Sequence, residues 1–146
     1  MEIVFKDIKE NDILYIVYQD INKNYTIGEA KVTGFTHWTY KAGDRYEDWG
    51  EKPMTNINYE FRGIEFSRDL ENSLDKTHFT DCPEYNAKYE NVFGDKYVET
   101  FTTKEEAKEY ILGLLNHFIE CKKSQIDKLN KELEDLNNNL QEYIDE

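Results

Sequence analysis

The sequence predicts an α+β protein. A small antiparallel β-sheet or partly open β-barrel is followed by a long C-terminal helix or helical hairpin with coiled-coil character. Three observations carry this. Short β-branched and aromatic runs fill residues 1–102, a strong helix start stands at Thr102–Glu106, and a 3–4 apolar repeat follows it to Ile144. The expected division is a β-rich domain over 1–102 and a helical or coiled-coil element over 103–146.

The helix start consists of two overlapping capping boxes, Thr102 with Glu105 and Thr103 with Glu106. A threonine hydroxyl accepts an orphan amide of the first turn, and the glutamate three residues on answers the cap's own amide. Ile111, Leu112, Leu114, Leu115, Phe118 and Ile119 then form a wide stripe, suited to a helix packed on a core. Beyond Ser124 the stripe narrows to Ile126, Leu129, Leu133, Leu136, Leu140 and Tyr143, at steps of 3, 4, 3, 4 and 3. That is a coiled-coil seam. Leu112, Leu115 and Ile119 share its register, but Lys122 occupies a core slot. Cys121–Ser124 is thus a weak point, and Ser124 is a candidate cap for a second helix. An unbroken helix would run about 60 Å at 1.5 Å per residue. Three readings stay open: a hairpin within one chain, a homodimer through Ile126, Leu129, Leu133, Leu136 and Leu140, or a seam for a different protein.

Among the earlier elements, residues 13–18 (Ile-Leu-Tyr-Ile-Val-Tyr) make the clearest strand, apolar on both faces and therefore central or covered. Residues 19–24 read as a hairpin loop. Residues 25–35 form a second strand, with Gly28 and Gly34 as candidate bulges and 36–40 as its continuation. Residues 41–53 are polar, with two glycines and a proline, and read as an exposed loop. Thr55–Arg62 alternates cleanly as a half-buried strand. Gly63 breaks the phase, and Ile64 and Phe66 resume it. Residues 67–74 read as a helical turn or a loop, and 77–88 carry little pattern. A Gly94-Asp95 turn joins Val92-Phe93 to the strand Tyr97–Phe101.

Lys9-Glu10-Asn11-Asp12-Ile13-Leu14-Tyr15, followed by Gly28-Glu29-Ala30-Lys31-Val32, resembles the opening of small Src-homology-3-like barrels, with Asn11 in place of the usual glycine. The stretch from Tyr97 to Ala107 resembles the strand-then-helix ending of small phage and prophage proteins of unassigned function. Together they cover under a third of the chain. The resemblance implies a barrel with a helical tail and carries no catalytic residues.

Composition narrows the function. The formal charge is −13, from 31 acidic and 18 basic residues, spread as −8 over 1–102 and −5 beyond. Direct nucleic-acid binding needs a basic surface and is not expected. Nor is binding to anionic lipid. A basic protein partner suits this charge. Cys82 and Cys121 are too few for a disulfide framework. With no long apolar run and no basic-then-apolar start, a cytoplasmic protein is expected.

No nucleophile elbow, phosphate loop or zinc spacing appears. His117 and Cys121 stand at i and i+4, but two ligands make no structural site. No enzyme activity, metal or cofactor is expected. Trp38, Tyr46, Asp48, Trp49 and Glu51 form a candidate partner-binding surface, because exposed Trp and Tyr dominate interface energetics. The competing reading makes Trp38 and Trp49 the cap of the barrel core. The sequence therefore suggests an acidic, non-enzymatic interaction module. One form is a phage-encoded inhibitor whose carboxylates imitate DNA phosphates in the groove of a nucleic-acid enzyme, such as an anti-CRISPR protein. The alternative is an assembly protein that oligomerises through its C-terminal coiled coil.

Overall fold

A computed structural model describes residues 2–41, 51–70, 72–80 and 96–145. Among these residues six strands form one antiparallel sheet: β1 (Ile13–Gln19), β2 (Tyr25–Lys41), β3 (Glu51–Phe61), β4 (Ile64–Asp69), β5 (His78–Thr80) and β6 (Lys96–Phe101). A single helix, α1 (Lys104–Ile144), follows. The strand order is β4-β3-β2-β1-β6-β5. By its internal contacts the chain divides into two units, 1–109 and 110–146.

The sheet curls into a half-barrel. Its two edge strands stand at opposite ends of the order, yet Arg68 of β4 donates from Nη2 to the Thr80 carbonyl of β5 at 2.8 Å. The same guanidinium lies 4.6 Å from the Phe79 ring centre. A side chain thus bridges the edges where no ladder runs among the described residues, and it occupies the Thr80 carbonyl of an edge strand.

Alternation fills the interior. Leu14, Ile16 and Tyr18 of β1, Ala30 and Val32 of β2, and Ile57, Tyr59 and Phe61 of β3 share one core with Phe66, Leu70, Phe79 and Val98. Tyr59 stacks on Phe66 with ring centres 5.5 Å apart. β1 is interior in the sheet, and Val17, on its opposite face, is also fully buried. The expectation from a strand apolar on both faces is met. The N-terminal residues add to the core through a 3-10 turn, Phe5–Asp7. The Phe5 and Lys6 amides donate to the carbonyls of Lys76 and Leu74, each at 3.0 Å. That anchors the fully buried Phe5 ring 5.0 Å from Phe79.

The turns follow local chemistry. In the loop after β1, the Asp20 carboxylate accepts from the amides of Asn22 and Asn24, both at 2.9 Å. Arg62 and Gly63 join β3 to β4 with φ of 53° and 80°, the paired left-handed geometry of a two-residue hairpin. Asn11 takes φ 75° in the turn before β1, a conformation that asparagine tolerates.

Several expectations are corrected. The polar stretch 41–53 is shorter as a connection: β2 continues to Lys41 and β3 begins at Glu51, their residues pairing in register. Pro53 is tolerated there because β4 pairs with β3 only from Asn56 onward, so Pro53 has a single ladder neighbour, Thr39 of β2. Ser67, Arg68 and Asp69 belong to β4 rather than to a helical turn or loop. β5 lies within a stretch that showed no pattern, because three residues are too few for alternation. Val92, Phe93 and the Gly94-Asp95 turn lie outside the described residues. α1 runs unbroken through Lys122 and Ser124, so Ser124 caps no second helix. Lysine and serine there are ordinary helix residues, and one polar seam position is no break.

The two capping boxes also part. Thr103 Oγ1 accepts from the Glu106 amide at 3.4 Å. Thr102 is buried, and its hydroxyl donates to the Ile3 carbonyl instead.

Of the two glycines read as bulges, only the Gly34 region has one: the β2–β3 register slips between Val32 and Gly34. Gly28 pairs regularly with Ile16. Its role is space, since an added Cβ would fall 2.6 Å from Cε2 of Phe61, a ring that is 2% exposed. Gly28→Ala is expected to destabilise the protein by about 1–3 kcal/mol through overpacking, read as a lower midpoint in chemical denaturation.

Candidate interaction site

Among the described residues, α1 carries the largest set of exposed apolar side chains. Within it only Ala107 is buried among the described residues. The wide stripe expected to pack on a core holds no buried residue, and Leu112, Leu115, Phe118 and Ile119 are 42–59% exposed. In the narrower seam, Ile126, Leu129, Leu133, Leu136, Leu140 and Tyr143 are 55–70% exposed. Isolated exposed leucines are ordinary; here they form a contiguous row at heptad spacing, which makes this face a candidate interaction surface. On the solvated surface of the helix, Lys123 meets Glu120 at 3.3 Å, and Gln141 donates to Asp145 at 3.0 Å. The last turn holds no basic residue, although the negative end of the helix dipole favours one.

The second candidate surface is the far end of the β2–β3 ribbon. Trp38 stands opposite Met54 in register and is 40% exposed. Its indole N–H donates to Asn56 Oδ1 at 3.0 Å, and Asn56 in turn donates to Ser67 Oγ at 3.1 Å. Asn58 reaches Thr36 Oγ1 at 2.8 Å. This side-chain ladder fixes the ring as a half-exposed plate. Glu51 opens β3 opposite Lys41. Tyr46, Asp48 and Trp49 lie outside the described residues.

A third cluster lies at β5 and β6. Thr80 donates its hydroxyl to Glu99 Oε2 at 3.0 Å, beside the Arg68 bridge. Burial pushes the Glu99 carboxyl above the usual glutamate range, while the Thr80 hydroxyl and the charges of His78 and Arg68 pull it back. A carboxyl raised in the folded state binds its proton more tightly there than in the unfolded chain. Its ionisation therefore subtracts from stability as pH rises through that range. Glu99→Gln is expected to raise the melting temperature at neutral pH while keeping the acceptor for Thr80. That gain should shrink as the pH falls below the glutamate range. Thermal scans of both proteins across pH check this.

His117 and Cys121 do share a helix face, with Nε2 and Sγ 3.7 Å apart. Among the described residues, no group of three or more His, Cys, Asp or Glu could hold a metal ion. No described helix is long and apolar enough to cross a membrane. The chain matches no protein-family model, no curated protein and no solved structure.

Proposed function

We propose that this is a non-enzymatic assembly protein whose working surface is the apolar face of α1. The observation that carries the reading is the exposed row from Ile126 to Tyr143 at strict heptad spacing. Water around six such side chains is released on association, at roughly 1.5–3 kcal/mol for each fully buried aliphatic side chain. Solvated helices are marginal when alone, so this one gains from a partner. Mass action then predicts the test. Helical circular dichroism and the melting temperature should rise with protein concentration, and a melting curve independent of concentration would contradict the proposal.

The charge of −13 supports a second reading, capture of a basic partner through carboxylates that imitate nucleic-acid phosphates. That reading requires binding to a basic groove that weakens steeply with salt. Salt-independent binding would remove it.

A further inference from the structure

The occupant of the helix face can be named from charge and register. We infer that α1 pairs with α1 of a second copy of this chain, antiparallel, with Ile126 of one packed against Leu129 of the other. This inference rests on the proposed assembly role.

The full heptad row is longer than the narrow seam. Leu112, Leu115 and Ile119 continue it upstream in the same register, with Lys122 the one charged core position between them and Ile126. All three are exposed, as are the six residues downstream. The row from Leu112 to Tyr143 lies wholly within the second unit, 110–146.

Flanking charge permits a like partner. Positions beside the row are Asn116, Lys123, Asn130 and Asn137 on one side, and Phe118, Gln125, Glu132 and Asn139 on the other. In a chain with 31 acidic residues, these flanks are nearly neutral. Two copies can therefore approach without a like-charged pair at the rim, where such pairs select against partners. The other acidic residues from Glu120 on, among them Glu120, Asp127, Glu134, Asp135 and Glu142, lie away from the row.

Lys122 decides the orientation. Parallel pairing sets Lys122 against its own copy in a core layer, two like charges in a drying site. Antiparallel pairing about a centre between Ile126 and Leu129 avoids this. It matches Leu112 with Tyr143, Leu115 with Leu140, Ile119 with Leu136 and Ile126 with Leu129. Lys122 then meets Leu133, whose neighbours in sequence are Glu132 and Glu134. The lysine stem covers apolar surface while its ammonium reaches a carboxylate. The acidic last turn, without a basic residue of its own, comes level with residues 111–114 of the other copy, toward the positive end of that helix.

The test is a distance. The full chain carrying Cys82→Ser, Cys121→Ser and Gln141→Cys is spin-labelled at position 141, off the row. Dipolar spectroscopy should read about 40 Å, the rise of roughly 27 residues along the axis. A distance of about 20 Å or less overturns the arrangement, since parallel helices or a shorter overlap bring the labels together. Absence of any dipolar coupling, with monomer mass for the same sample, overturns the assembly role itself. Charge gives a second readout. Leu133→Glu faces Lys122 in this register and should weaken the dimer at least tenfold less than Leu129→Glu. Equal weakening by the two variants contradicts the register.

Discussion

Leu129→Glu is expected to convert the protein into a monomer, weakening association by at least about 100-fold. In the proposed pairing Leu129 sits at the centre, 62% exposed on the single helix and covered in the dimer. Two copies place two carboxylates in adjacent core layers, each opposite Ile126, while the partner's Lys122 is held one layer away against Leu133. Burying an unpaired charge costs several kcal/mol, and each 1.4 kcal/mol is tenfold in affinity. Asn138→Glu adds the same charge on the outward face of the helix and should leave the mass of the assembly unchanged. Sedimentation of the two variants beside the parent separates a lost seam from a general effect of charge.

Phe5→Ala is expected to give the largest loss of fold stability, about 3–5 kcal/mol. The ring is fully buried, stacks on Phe79, and is held by hydrogen bonds from the Phe5 and Lys6 amides to carbonyls just before β5. Its removal opens a cavity beneath the shortest strand of the sheet. β5 has one ladder neighbour, β6, and its far side is met by Arg68. A loss of this size is a large share of the 5–15 kcal/mol typical of a domain. Urea denaturation should show a markedly lower midpoint. Hydrogen exchange of the Phe79 and Thr80 amides should rise first, because local opening begins where few contacts hold.

What could be read in the sequence was local. The strand at 13–18, the Asp20 loop, the break at Gly63 and the heptad row each declare themselves within a few residues, through periodicity or turn chemistry. The fold class follows from these and agrees with the half-barrel and single long helix. What could not be read depends on residues far apart. Thr102 and Thr103 are equivalent as caps until the Ile3 carbonyl, 99 residues from Thr102, takes one hydroxyl. Gly28 resembles any strand glycine until the Phe61 ring lies over it. The Arg68 bridge joins strands at opposite ends of the sheet, so neither β5 nor the curl has a local signature.

The candidate site divides in the same way. The apolar repeat of α1 was legible because a helix maps sequence spacing directly onto one face. The continuity of the helix through Lys122 was not, since a charged seam position reads equally as a break or as a register marker. For Trp38 the sequence left exposed contact and core cap both open, and its ladder to Asn56 and Ser67 needs the β2–β3–β4 register.

The most direct measurement is the solution mass of the unmodified chain, by light scattering over a hundredfold range of concentration. The account predicts a rise from the 17.5 kDa of one chain to twice that value, with no larger species. A mass that stays at one chain throughout would contradict self-assembly through α1.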